Sequence, residues 1–479
     1  MAGFSGGDHV NDSWTQYLVQ FVGELHDFWF AEFDSLLRLQ GIDPANVYDL
    51  DAEHMKDIRA DGSVLSARGT LDYGLESPFL RVWLPSDDVV NALCERAILV
   101  NAVYALWGEG ETYAELKDAI RAAPRSKTDP YFAQGTDLPW CLHVAGYGRK
   151  YTSTMQEELR NSLRDCLPFQ GPVRLKRGAS ARFFLIEEIG ADPARQTQRA
   201  PPKRMYFGRE ICTGNRSLID RFTLKKRKFL GPTSMSNMMS LIMANMGLAR
   251  KGAYVIDPFV GTGSLLVPCT VFGAVCMGSD IDIRILRGKK GVNAFTNFKQ
   301  YGLSCPDMVR LDISPRGRCI VELPDGRFDA IICDPPYGVR AGARQVGSRR
   351  AVVKPIPDHL RKDHIPMTKP YKVSDIMTDL VDTAARMLVK GGRFVYLLPV
   401  VIAEYDVSQV PQHPCLKIIA NSEQRLSTKL ARRLITMEKV ADYDYAKADA
   451  YIAEVRKCFK ASSDSCYDDI TAKLKRMKK

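Results

Sequence analysis

Asp334-Pro335-Pro336-Tyr337 puts a carboxylate, two prolines and an aromatic ring into one short run. Proline fixes φ and carries no N–H, so the pair makes a rigid set of carbonyl acceptors. Asp334 adds carboxylate oxygens, and Tyr337 adds a flat ring with a polar edge. Such a set suits a planar base bearing an exocyclic NH2. The acceptors hold the amine hydrogens while the ring stacks on the base. The residues before it, Phe328 to Asp334, are short, apolar and β-branched, so they read as a buried parallel strand. That places the tetrapeptide at a strand's carboxyl end, where open α/β sheets bind ligands.

The preceding residues repeat this layout. Ala253 to Asp257 reads as a strand, Pro258 to Gly263 as a glycine-bearing turn, and Ser264 opens a helix. A dinucleotide fingerprint would need glycine where Leu266 stands. A phosphate loop would need Lys then Ser/Thr where Ser264 and Leu265 follow Gly263. Asp257 would repel a pyrophosphate but pair with an ammonium group, while a ligand carboxylate faces the backbone N–H groups of the turn at Gly261 and Gly263. The next strand ends at Asp280, which can accept from both hydroxyls of a ribose, with Ile281 beside it to cover an adenine face. A third strand ends at Asp312, placed to accept from the adenine amine. Asp257, Asp280, Asp312 and Asp334 thus end four strands separated by helix-length segments. One strand-terminal Asp is ordinarily a cap or turn residue. Four in register, with Gly-x-Gly and DPPY at the right ends, point to a site.

DPPY after an apolar strand resembles the catalytic motif of S-adenosylmethionine-dependent amino-methyltransferases, which act on nitrogens of DNA, RNA or protein. The four aspartates with the Gly-x-Gly turn are similar to the Rossmann-like class I methyltransferase fold. That resemblance implies S-adenosyl-L-methionine as cofactor. It also implies that Phe229 to Ser234, with Thr233 and Ser234, helps bind the methionine moiety.

With 479 residues, two to three domains are expected. The formal net charge of +11 favours a polyanionic partner. The 12 cysteines are scattered with no Cys-x-x-Cys, which argues against a resident metal and for reduced core thiols in a cytoplasmic protein. The chain shows no signal peptide and no apolar run long enough to span a bilayer, so no membrane association is expected. The aromatic stripe from Phe28 to Phe33 has helical spacing and reads as core. Periodicity and composition divide the chain into an N-terminal α+β domain (1–125), a second region (126–190) that resembles a THUMP-like RNA-binding region, and a polar linker (191–222). A Rossmann-like α/β domain (223–440) and a charged, solvated tail (441–479) follow. The THUMP reading is a resemblance, carried by Pro-Phe-x-Gly-x-Val from Pro168 and by Phe-x-Leu-Ile-Glu ending at Glu187. Arg174 and Lys176 border it, Lys225 and Lys226 lie in a run of four cations, and Arg340, Arg344, Arg349 and Arg350 follow DPPY in a flexible cationic loop. Each group is either a phosphate contact or a solvated face.

Taken whole, residues 15–440 resemble the catalytic subunits of eukaryotic tRNA guanine-N2-methyltransferases, the family that modifies guanosine 10. The sharpest marker runs from Phe328 to Gly342. The resemblance implies tRNA as substrate and a heterodimer with a small zinc-binding activator subunit. Two alternatives stand beside it: an amino-methyltransferase acting on adenine or cytosine in other RNA or DNA, and a non-catalytic RNA-binding scaffold.

Overall fold

A computed structural model describes residues 14–48, 77–174, 178–190, 200–232, 234–314, 326–337, 342–348, 356–361 and 365–463. The chain forms two compact units. One holds Met1–His26, Gln40–Asp49 and Asp72–Asn215; the other holds Asp27–Leu39 and Arg216–Lys479.

In the first unit, strands β1 (Thr15–Phe21), β2 (Phe79–Leu84), β3 (Val100–Gly110), β4 (Trp140–Tyr147), β5 (Ala181–Glu188) and β6 (Arg204–Thr213) make one sheet in the order β2-β1-β3-β6-β5-β4. Trp107 centres an apolar cluster with Leu116, Leu142, Phe183 and Phe207. This sheet corrects the expected division at residue 125, because strands from both sides of it share one set of ladders. It also corrects the expected linker. β6 falls inside 191–222 and pairs antiparallel with both β3 and β5. The polar residues before β6 suggested a linker, but Met205, Tyr206 and Phe207 are buried. Cys94 and Cys212 are joined as a disulfide, so the expectation of reduced thiols fails for this pair. The fold brings a helix end and a strand end together there.

In the second unit, β7 (Tyr254–Asp257), β8 (Val275–Asp280), β9 (Asp307–Arg310) and β10 (Phe328–Cys333) run parallel. After a two-stranded hairpin of β11 (Arg344–Val346) and β12 (Thr368–Pro370) come β13 (Leu388–Val401), β14 (Leu416–Arg425) and β15 (Leu430–Lys439). The sheet order is β14-β15-β13-β10-β7-β8-β9. β13 is parallel to β10, and β15 runs antiparallel to both its neighbours. The chain leaves β7 toward β8 and β9, then returns on the other side of β7 as β10. That reversal is a topological switch point, so the ends of β7 and β10 open onto the crevice where such sheets bind ligands.

Several expectations change here. The helix Trp29–Leu39 belongs to this unit rather than to an N-terminal domain. It packs on the helix Asn237–Met246, where Asn245 Nδ2 donates to the Glu32 carboxylate at 2.7 Å. Its stripe is core at Phe28 and Phe33, which are buried, while Phe30 is half-buried. Strand β13 starts directly after the helix Val373–Met387, with Gly391 and Gly392 inside it. The tail is not wholly solvated. The helix Ala448–Ser463 buries Val455, and Tyr451 meets the His413 ring with centroids 5.0 Å apart.

Candidate active site

The turn after β7 needs glycine for two different reasons. Gly261 and Gly263 adopt φ of +49° and +80°, a left-handed region unfavourable to other residues. On β8, a Cβ at Gly278 would lie 2.5 Å from Val260 Cγ2, so the absence of a side chain lets the turn rest against the sheet. Thr262 projects between the two glycines and meets Ser234 Oγ at 2.9 Å and Ser264 Oγ at 3.2 Å. Ser234 Oγ also accepts from the Gly231 N–H at 3.0 Å. These contacts tie Gly231 and Ser234 to the glycine turn.

The same segment is fixed from a second side. Asn297 exchanges hydrogen bonds with the Phe229 backbone, donating at 2.8 Å and accepting at 2.9 Å. Arg227, one of the four consecutive cations, is buried and donates to Ser264 Oγ at 3.0 Å and to Asn237 Oδ1 at 2.8 Å. It is therefore structural, while Lys225 and Lys226 are exposed.

The four aspartates come to one end of the sheet with different duties. Asp257 is buried, and its Oδ1 accepts from the Phe259 N–H at 2.9 Å. Burial holds its carboxyl well above the usual range, and repulsion from Asp280 and Asp334 adds to the shift. Asp280 accepts from Gly261 N–H at 3.2 Å and from Asp282 N–H at 2.8 Å, and burial raises its carboxyl as well. Ile281 follows it, half-buried. Asp312 accepts from Ser314 N–H at 2.9 Å and from Val346 N–H at 2.6 Å. Both its oxygens thus serve backbone, the second of them tying down β11.

Asp334 differs from the other three. Its Oδ1 is buried with no hydrogen-bond partner among the described residues. Burial raises its carboxyl, opposed by the charge of Arg432. Pro335 is buried, Pro336 half-buried, and the Tyr337 hydroxyl donates to the Leu397 carbonyl oxygen of β13. That bond anchors the ring's polar edge to the sheet, and burial pushes the phenol well above its ordinary range.

Arg432 was not among the residues singled out from the sequence. It lies on β15 opposite Pro399 of β13 and Gln424 of β14. Its Nε and Nη2 donate to Gln424 Oε1 at 3.2 and 2.5 Å, and Nη1 lies 3.8 Å from the Met235 sulfur. The signal was present: Arg432 and Arg433 interrupt the apolar run from Leu430 to Ile435. Which of the pair faces the site depends on a register that only the folded sheet sets. Gln424, Met235, Thr262 and Asn297 were missed for the same reason.

Among the RNA-binding candidates, Arg174 is exposed, and Arg344 is exposed with Nη1 donating to Thr368 Oγ1 at 3.1 Å. The segment after DPPY is therefore partly ordered into the β11–β12 hairpin rather than a loop throughout. Thr233, Lys176, Arg340, Arg349 and Arg350 lie outside the described residues. No group of three or more metal-ligating side chains occurs among the described residues. No helix there is long and apolar enough to cross a membrane.

Strand order, switch point and a Gly-x-Gly turn facing an acidic DPPY loop define a Rossmann-like class I methyltransferase. Residues 225–349 match the RMKL-like methyltransferase domain family, and residues 67–216 match the Tmrp11 THUMP N-terminal domain family. The tRNA (guanine(10)-N(2))-methyltransferase TRMT11 of Dictyostelium discoideum is 36% identical over 90% of this chain and 83% of its own length. TRMT11 of Homo sapiens is 36% identical over 90% and 89%, and that of Mus musculus 38% over 90% and 90%. The chain belongs to this tRNA guanine-N2-methyltransferase family.

Proposed function

We propose that this chain transfers a methyl group from S-adenosyl-L-methionine to the exocyclic N2 amine of guanosine 10 in tRNA. The observation that carries the reading is the unpartnered, buried Asp334 Oδ1 at the carboxyl end of β10, in a loop whose prolines add further acceptors.

The acids around the switch point fit the cofactor. Asp257, Asp280 and Asp334 are desolvated together and raised in pKa, so the pocket favours a cation. S-adenosyl-L-methionine supplies an electrophilic methyl group on a positively charged sulfur, and its ammonium group suits the same acids. Ser234, Thr262 and the glycine turn would hold its methionine end, Asp280 and Ile281 its ribose and adenine. Asp312 would take the adenine amine only by releasing or sharing its bond to Val346.

The chain's own task is then to prepare the nucleophile. The N2 amine is a weak nucleophile because its lone pair is delocalised into the guanine ring. Asp334 and the Pro335 carbonyl accept its hydrogens, which directs the lone pair away from the ring. The Tyr337 ring, anchored through Leu397, offers a stacking surface. Reaching the loop requires the base to leave its stack, at a cost of a few kcal/mol. Positioning and hydrogen bonds that strengthen in the transition state supply most of the rate.

Arg174, Lys176, Lys225, Lys226, Arg340, Arg344, Arg349 and Arg350 are proposed to contact tRNA phosphates. The small zinc-binding activator subunit remains part of the reading. Nucleoside mass spectrometry of unmodified tRNA incubated with the chain and cofactor, with and without the activator, is the test. N2-methylguanosine supports the reading, and dependence on the second subunit supports the heterodimer. A methylated adenine or cytosine overturns the substrate.

A further inference from the structure

We propose that Arg432 reads the O6 edge of the target guanine, so that Asp334 and Arg432 together form an acceptor–acceptor–donor edge complementary to that base alone. This rests on the guanosine reading above and extends it to how the base is chosen.

Three observations carry it. Asp334 presents a buried oxygen with no protein partner. Arg432 Nη1 reaches Met235, the neighbour of Ser234 at the glycine turn, and its charge acts on both Asp334 and Tyr337. Its guanidinium is also oriented. Nε and Nη2 are held by Gln424, while Nη1 has only a thioether at 3.8 Å beside it. Sulfur is a weak acceptor, so among the described residues a donor remains for a ligand. Register places Arg432 beside Pro399, near the end of β13 that holds Tyr337 through Leu397.

The chemistry discriminates. Guanine presents, in order along one edge, the N2 amine, the N1–H and the O6 carbonyl: two donors and an acceptor. A carboxylate accepts from N2–H and N1–H together, leaving O6 to a donor, and Arg is a donor only. Pro335 takes the second amine hydrogen. Adenine and cytosine carry a lone pair on the ring nitrogen next to their exocyclic amine, which would face a carboxylate oxygen. Accepting from the exocyclic amine alone would satisfy any of the three bases. The ring N–H taken by Asp334 sets guanine apart from cytosine, whose O2 would also suit the arginine, and Arg432 adds the contact that adenine, with C2–H at that place, lacks.

The test uses the full chain with its activator subunit, tRNA transcripts carrying guanosine or 2-aminopurine at the target position, and single-turnover methyl transfer. The base 2-aminopurine keeps the N2 amine but has no O6. Arg432→Met is expected to slow transfer to guanosine by about 10- to 100-fold, the value of one arginine contact to a base edge. Transfer to 2-aminopurine, already slow, is expected to change by less than about twofold, because the contact is absent there. Arg432→Lys restores part of the guanosine rate. An equal loss on both bases would overturn the proposal, since it would mean that Arg432 merely holds Asp334 or the fold. An unchanged guanosine rate would overturn it too. Cofactor titration and thermal melting of each variant separate these results from misfolding. Failure of the wild-type enzyme to form N2-methylguanosine would instead refute the underlying substrate reading.

Discussion

The catalytic unit buries charge in two opposite ways, on the two halves of one sheet. On the antiparallel half, Glu423 on β14 pairs with Arg433 on β15 at 3.1 Å and with Arg425 at 2.7 Å. The Arg433 guanidinium lies 4.3 Å over the Tyr405 ring. These charges come with partners. On the parallel half, Asp257, Asp280 and Asp334 crowd together with one arginine opposing Asp334, and each carboxyl is raised. Desolvated charge without a partner costs stability. The first arrangement holds the sheet together, and the second stores an unmet demand for a cationic, hydrogen-donating ligand. Strain of this kind, confined to one end of a sheet, marks a site more clearly than any single motif.

The contrast breaks if stability and activity respond alike on the two halves. The largest effect is expected at Arg433→Ala, which leaves buried Glu423 only its exposed partner Arg425 and strips one carboxylate oxygen of its ion pair. Chemical denaturation should show a loss of about 3–5 kcal/mol, with transfer per folded molecule largely retained. Asp334→Ala should do the reverse. Turnover should fall by at least about 100-fold, on the order of 2.7 kcal/mol in the transition state, with cofactor affinity mostly kept and melting unchanged or higher. A variant retaining more than about a tenth of the wild-type rate would remove Asp334 from its role.

Gly278→Ala sharpens the comparison, because it alters the shape of the parallel half and not its charge. The added methyl would meet Val260 and Met308 at 2.5 and 2.8 Å. Overpacking of this sort costs about 1–3 kcal/mol. Isothermal titration should show weaker cofactor binding, because Val260 leads into the glycine turn.

The smallest effect is expected at Asp379, a buried acid on the helix Val373–Met387 that accepts from the Tyr371 hydroxyl. Burial pushes its carboxyl up to about 7. A folded-state value above the unfolded one contributes stability below about pH 4, and that contribution is lost as pH rises through about 7. Asp379→Asn should therefore melt higher than wild type at pH 8, by about 2–4 °C per kcal/mol gained. The difference should close toward pH 4. A constant difference across that range would mean Asp379 is ionised throughout.

Much of the site was legible because it is local. A short apolar run ending in acid, a Gly-x-Gly turn or a proline pair sets its own backbone conformation. Asp257, Asp280, Asp312 and Asp334 therefore fall at or just past the ends of β7 to β10. The first unit was harder to divide. β6 follows a polar stretch and becomes a strand only because β3 and β5 flank it with unpaired edges.

Sequence alone determined the strand-and-turn punctuation of the catalytic half, the acidic loop with its acceptors, and the positive charge suited to a nucleic acid. Tertiary structure decided which half of the molecule Trp29–Leu39 joins, which of two adjacent arginines reaches the loop, and which acid keeps an oxygen without a partner. Those outcomes depend on register and on contacts across hundreds of residues, as between Glu32 and Asn245 or Met235 and Arg432. Backbone preference extends only a few residues along the chain, whereas burial and the pairing of charge exist only after the sheet has closed.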